Sequence, residues 1–214
     1  WYSLSSARYA VKRLWRVIVP SEHVKKQLLA FVQHDVSTPH NIVVIHHGFD
    51  RRYLTPISES AVAVAREKYE IRGPYFLSVG RLEEKKNTAS MIEAFGLVRD
   101  QVKAKLVLVG KPGHGYGKVR KALAQSPHKC DIRLLGWLPP EDIQPLMQGA
   151  RAFIFPSLAE GFGMPVLEAL AAGTMVIAGT GSSLEEVGGE AVTYVDPSSP
   201  DAIGGAMSGA FDET

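Results

Sequence analysis

Pro74-Tyr75-Phe76-Leu77-Ser78-Val79-Gly80-Arg81-Leu82-Glu83-Glu84-Lys85-Lys86-Asn87-Thr88-Ala89-Ser90-Met91-Ile92-Glu93-Ala94-Phe95 decides the fold. An apolar run of strand length stops at Gly80, a charged turn follows, and from Thr88 the apolar residues take up helical spacing. The same unit recurs toward the C-terminus. Candidate strands cover 75–79, 105–109, 131–135, 152–155, 174–178 and 191–195, with candidate helices at 88–99, 117–126, 141–148, 165–172, 183–187 and 201–210. A helix between successive strands returns the chain to the same edge, so the strands pair in parallel, and right-handed crossovers give an open doubly wound sheet. The expectation is a Rossmann-like α/β domain over 57–214.

Toward the N-terminus the pattern changes. Residues 7–16 form a basic amphipathic stretch, 17–20 and 41–45 read as short strands, and Ser21 with Glu22 opens a helix. This is too little for a second core. Residues 1–56 are therefore expected to be the tail of a preceding domain with a linker at 50–56.

Composition sets the outer bounds. The 214 residues carry 24 Lys+Arg against 22 Asp+Glu, a net charge of +2, and 45% are hydrophobic, which fits a folded globular chain and excludes extensive disorder. Without a basic stripe, that charge gives little support for nucleic-acid binding. The single cysteine, Cys130, excludes an internal disulfide framework or a multi-thiolate zinc site, and it fits a reducing, cytoplasmic compartment. No apolar run is long enough for a membrane helix. Arg8, Lys12, Arg13 and Arg16, interleaved with Tyr9, Leu14 and Trp15, raise peripheral contact with the inner membrane face as an alternative. A helix from a truncated domain accounts for them more simply.

In an open parallel sheet, ligands bind beyond the C-terminal strand ends. There this sequence gathers Gly80-Arg81 with Lys86, then Gly110, then Gly136-Trp137-Leu138, and after the fourth strand Glu160-Gly161-Phe162-Gly163-Met164-Pro165-Val166-Leu167-Glu168. Pro165 suits a first helical turn, while Gly161 and Gly163 permit close approach to the backbone, so the helix start is an anion site suited to phosphate. Glu168, one turn further on, can accept hydrogen bonds from a ribose diol. Arg81 and Lys86 supply charge for a departing nucleoside diphosphate. The chain contains no Asp-x-Asp pair to bridge Mg²⁺ to a diphosphate, which favours metal-independent chemistry.

Together these residues resemble the retaining, nucleotide-sugar-dependent glycosyltransferases of family 4, or group 1, which have the two-Rossmann-domain GT-B fold. Gly80-Arg81-Leu82 with Lys86-Asn87 resembles the family's phosphate-binding segment, and Glu160 to Glu168 its Glu-x7-Glu signature. Val19-Pro20-Ser21-Glu22 and Ile45-His46-His47-Gly48-Phe49-Asp50 resemble the segments that close the N-terminal domain. The resemblance implies hexosyl transfer to a hydroxyl acceptor, either a sugar or a lipid-linked one. The donor would be a GDP- or UDP-sugar, with a slight tilt toward GDP-mannose and no separate cofactor.

Residue by residue, Arg81, Lys86 and Glu160 would act at the reacting centre. Gly80, Gly110, Gly136, Leu138, Phe162, Gly163, Met164, Pro165 and Glu168 would complete the donor site, with Glu168 on the ribose and Gly136 and Leu138 bordering the base. His47 departs from the family's usual asparagine after proline. Most of an N-terminal domain and the closing helix fall outside this sequence, so the resemblance implies a donor-binding half without transfer activity of its own.

Several features have simpler readings. Glu160 and Glu168 could be a solvated loop acid and a dipole-stabilising helix acid; a glycosidase pair would not sit beside phosphate-binding cations. Lys85 reads as part of a charged surface turn. The 111–117 segment imitates a dinucleotide turn, which keeps an NAD-binding oxidoreductase domain as an alternative, but its spacing is incomplete and a flexible loop fits better. His46 and His47, adjacent on a strand, would point to opposite faces and so could not share a metal ion.

Overall fold

The computed structural model describes residues 2–32 and 41–212; residues 1, 33–40, 213 and 214 of the expected spans lie outside the described residues. The N-terminal segment holds α1 (Tyr2–Arg13), β1 (Val17–Val19), α2 (Glu22–Val32) and β2 (Ile42–Val44). Strands β1 and β2 pair in parallel as a separate two-stranded sheet. Val11, Val19, Val32 and Ile42 are buried together beneath it, so this segment has a small apolar cluster of its own. A single 3₁₀ turn, Arg51–Leu54, carries the chain onward, with the Asp50 side chain accepting from the Arg52 amide.

Next comes α3 (Glu59–Lys68), capped by Ser58, whose hydroxyl accepts from the Ala61 amide. Sequence periodicity does not reveal it, because only Ala65 of this helix is buried and its apolar stripe is correspondingly faint. The remaining elements are β3 (Tyr75–Val79), α4 (Thr88–Val102), β4 (Lys105–Val109), α5 (Tyr116–Gln125), β5 (Ile132–Gly136), α6 (Pro140–Gln148), β6 (Ala152–Phe155), α7 (Met164–Ala171), β7 (Val176–Gly179), α8 (Leu184–Gly188), β8 (Val192–Val195) and α9 (Pro200–Asp212). All six expected strands and six expected helices of this region form, with small shifts at their ends.

These six strands make one parallel sheet in the order β5-β4-β3-β6-β7-β8. Side-chain alternation builds a core on each face, because successive Cβ atoms point to opposite sides. Phe76, Leu106, Leu108, Ile154 and Ile177 pack beneath α4, α5 and α9, where Phe95, Val119 and Met207 are buried. Tyr75, Leu77, Val107, Phe153 and Val176 pack against the opposite layer through Leu146, Val166 and Leu184. The four inner strands, β4, β3, β6 and β7, are thus buried on both faces over most of their length, which explains their near-continuous apolar runs. This is the doubly wound Rossmann-like sheet expected, and the order reverses between β3 and β6. Neighbouring loops diverge at that point and leave a crevice beyond the strand ends.

Candidate donor-binding site

The crevice at the switch point holds a cavity of about 610 Å³. Gly80 and Arg81 come to it from the end of β3, Gly110 and Lys111 from β4, Trp137 and Leu138 from β5, and Glu168 from α7. Asp50, Arg52 and Tyr53 close it from the 3₁₀ turn after the N-terminal segment. Of the expected site residues, Gly80, Arg81, Gly110, Leu138 and Glu168 line this one space. Gly136, Lys86, Glu160, Phe162, Gly163, Met164 and Pro165 do not line it: Gly136 ends β5, and the others sit on the adjoining loops and helix turn.

Backbone hydrogen bonds fix the β3–β4–β5 side. The Gly80 amide donates to Val109 O at 2.9 Å, the Gly110 amide to Gly136 O at 2.7 Å and the Leu82 amide to Lys111 O at 3.0 Å. Gly110 is required here. A Cβ at that position would stand 1.8 Å from Gly80 O, and its φ of +150° lies where side chains rarely go. The 111–117 segment also departs from expectation. Its backbone bonds to the preceding loop, Gly113 N to Leu82 O and Glu84 N to His114 O, and Lys111 faces the cavity, because the strand ends bring the two loops side by side.

Glu168 is half-buried on α7. Burial holds its carboxyl above the usual carboxylate range, with Arg52 pulling it down and Asp50 pushing it up. Tyr53, almost fully buried, is pushed up to about 12 by burial and by the charge of Glu168.

Lys86 lies immediately beside the cavity. A Cβ placed on Gly80 would be 3.8 Å from Lys86 Cε and equally far from the Phe155 ring. Lys86 Nζ sits 4.6 Å from the centre of that ring and donates to Glu160 Oε1 at 2.5 Å. The ion pair bridges the loops that leave β3 and β6, as does the bond from the Leu158 amide to Lys85 O at 3.0 Å. Glu84 and Lys118 pair at 2.5 Å on the outer side of the β3 loop. Asn87, left-handed at φ 57°, ends the short turn carrying Lys86 and starts α4, and its side-chain amide donates to Pro197 O at 2.5 Å.

Helix α7 begins after Gly163, whose φ is +101° and whose Cβ would collide with Leu184 Cδ2 at 2.3 Å. Pro165 falls in the first turn, as expected. Among the described residues, no protein acceptor is recorded for the amides of Gly161, Phe162, Gly163 and Met164. Unpartnered donors at a helix start, with the positive end of the helix dipole behind them, suit an anion.

The N-terminal segment grips the same loop. Ser21 Oγ donates to Gly161 O at 2.8 Å, and Ser183 Oγ, from the turn before α8, donates to Glu160 O at 2.9 Å. His46 and His47 both lie against the Phe162 ring, with centroids 5.7 and 5.2 Å away. They do not take opposite faces as expected, because β2 ends at Val44 and the alternation rule stops with it. The Glu186 carboxylate accepts from the amides of Glu22 and His23 at the start of α2 and lies 2.8 Å from His46 Nε2. Burial pushes that carboxyl up, but these bonds outweigh it and hold it below the usual range.

Sequence reasoning gave Arg52, Tyr53 and Lys111 no place in the cavity wall and Ser21 and Ser183 none as loop anchors, and it named Trp137 at a strand end without assigning it a role. The position of Trp137 directly after a strand end was the one available hint; the linker residues carried none. No group of three or more His, Cys, Asp or Glu side chains placed to hold a metal occurs among the described residues. No described helix is long and apolar enough to cross a membrane.

The comparisons with known proteins agree with this architecture. The "Glycosyl transferases group 1" family matches residues 63–213. The O-antigen chain mannosyltransferase B of Escherichia coli is 31% identical over 181 residues, 79% of this chain and 48% of the relative. A serotype-specific mannosyltransferase of Escherichia coli is 29% identical over 134 residues, 61% of this chain and 16% of the relative. The chain thus spans about half or less of the length of these curated relatives. Among solved structures, an Anabaena protein in complex with UDP and glucose superimposes with a TM-score of 0.84 at 21% identity, over 99% of this chain and 58% of that one. That likeness concerns the fold alone. The family match covers well over half of the sequence: this chain belongs to the group 1 glycosyl transferases.

Proposed function

We propose that this chain is the donor-binding half of a retaining, metal-independent hexosyltransferase. Its donor is a nucleoside diphosphate sugar, with GDP-mannose favoured, and its acceptor is a hydroxyl of a sugar or a lipid-linked sugar. One observation carries the reading: residues from both sides of the switch point, Gly80 and Arg81 after β3 and Glu168 on α7, face a single cavity, and the Lys86–Glu160 pair bridges the two loops beside it. The mannose preference draws on the mannosyltransferase relatives. The stereochemical course rests on the family resemblance.

In this reading the nucleoside occupies the cavity. Its ribose diol bonds Glu168, and its base lies among Trp137, Leu138 and the backbone near Gly136. The diphosphate runs from Arg81 toward the amides of 161–164. During transfer the bond between the anomeric carbon and the diphosphate oxygen breaks, and the nucleoside diphosphate leaves with the electron pair. The acceptor oxygen bonds the anomeric carbon on the same face, and its proton passes to the departing phosphate. Arg81, Lys86 and the helix-start amides stabilise the growing negative charge with donors already in place, each worth a factor of about 10²–10³ in rate. Glu160 holds Lys86 until the donor arrives and then offers its carboxylate to sugar hydroxyls. The nucleotide sugar is a substrate, and no further cofactor takes part.

Calorimetric titration with GDP, UDP, ADP and NAD tests this. The expected result is binding of a nucleoside diphosphate in preference to NAD. Selective NAD binding, or no nucleotide binding, would overturn it.

A further inference from the structure

The loop that precedes α7 is held by two hydroxyls from distant parts of the chain. Ser183 Oγ donates to Glu160 O at 2.9 Å and Ser21 Oγ to Gly161 O at 2.8 Å, and both serines are fully buried. These are consecutive carbonyls. In a planar trans peptide, the C=O of one residue and the N–H of the next point in opposite directions, and the described residues contain no cis bond. Tying Glu160 O to Ser183 therefore turns the Gly161 amide away from Ser183, and tying Gly161 O to Ser21 turns the Phe162 amide away from Ser21. These amides are two of the four without a recorded protein acceptor, beside the Lys86–Glu160 pair.

We infer that Ser21 and Ser183 are positioning residues for the diphosphate: their hydroxyls fix two successive peptide planes so that the Gly161 and Phe162 amides stand ready as anion donors. This rests on the donor reading above and adds to it the means by which the cradle is aimed. Glycines at 161 and 163 leave the loop many conformations, and a cradle that must first be ordered binds more weakly. The two serines remove that freedom in advance. One of them belongs to the N-terminal segment, so the cradle is completed only when that segment docks. Ser21 also accepts from the Val24 amide at 3.1 Å as the cap of α2, whereas Ser183 has no such second duty at its own helix.

The test uses GDP and UDP as probes, with guanosine and uridine as phosphate-free controls. Ser183→Ala should weaken nucleoside diphosphate binding about five- to tenfold while leaving nucleoside binding unchanged, and Ser183→Thr should restore it. Ser21→Ala should do the same and also lower the melting temperature through the lost cap. Independently of any variant, the Gly161 and Phe162 amide proton resonances of the native chain should move downfield as GDP or UDP is added. Equal nucleoside diphosphate affinity in native and Ser183→Ala protein, or unmoved amide resonances in the presence of bound nucleotide, overturns this inference and leaves the donor reading standing. Failure of the native chain to bind either nucleotide overturns both.

Discussion

The two sides of the cleft are built differently. On the β3–β4–β5 side the loops are joined backbone to backbone, through Gly80, Leu82, Gly110 and Gly113. On the β6–β7 side the loop before α7 is held mainly by side chains that come from residues 21, 86 and 183. Backbone joints depend on little except room for the main chain, so the first side tolerates nearly any side chain but no added bulk at a close approach. Side-chain joints can be weakened one at a time. On the donor reading proposed above, the nucleoside wall is thus all-or-none, and the phosphate cradle is adjustable.

The largest expected effect breaks the backbone side. Gly110→Ala places a methyl group against Gly80 O and should destabilise the chain by about 3 kcal/mol, lowering the melting temperature by roughly 6–12 °C. Thermal unfolding followed by circular dichroism measures this. A shift under about 2 °C would mean that the strand-end loops are looser than described.

Next in size is Lys86→Ala, on the side-chain side. Nucleoside diphosphate affinity should fall about 10- to 100-fold, as expected for a lost charge-assisted contact. The variant also leaves the nearly buried Glu160 carboxylate without its cation, so stability should fall. Adding Glu160→Gln should recover that stability without recovering binding. Joint recovery of both would show that Lys86 serves the loop and not the ligand.

The smallest effect concerns Glu168, where the sides meet. Its carboxyl is raised above its ordinary value by burial. Ionised Glu168 therefore costs the folded state stability. That cost is present in full above the raised value and vanishes as pH falls below the ordinary carboxylate range. Glu168→Gln should slightly raise the melting temperature at pH 7, with the gain disappearing near pH 4, while nucleotide affinity drops roughly tenfold. Calorimetry with a deoxyribose analogue gives the complement: the native chain should bind it more weakly, and the variant should no longer discriminate. An unchanged preference in the variant would place the ribose elsewhere.

The difference in construction also explains what was legible in the sequence. Strand runs such as 105–109 are buried on both faces, and the glycines that end them mark where the backbone must pass closely, so sheet, helices and rim could be read directly. Arg81 and Glu160 could be singled out as candidates because their charges follow strand ends, and Glu168 because it lies about one turn inside the helix that comes after. Ser21 and Ser183 were not legible as anchors, since two serines 162 positions apart carry no sign that they grip neighbouring carbonyls. Tyr53 and Arg52 were hidden for a related reason: a linker gives no periodicity, and only the folded chain lays it over the cavity. The helix at Glu59–Lys68 was missed because its buried stripe is almost absent.

On the donor reading, a nucleoside diphosphate spans the switch point, with its ribose on Glu168 and its diphosphate between Arg81 and the start of α7. A crystal structure of the chain soaked with GDP or UDP tests it most directly. The expected result is a ribose diol within hydrogen-bond reach of the Glu168 carboxylate and phosphate oxygens within reach of Arg81 and the amides of 161–164. Nucleotide seated along the 111–117 loop, with those amides and Glu168 untouched, would contradict it.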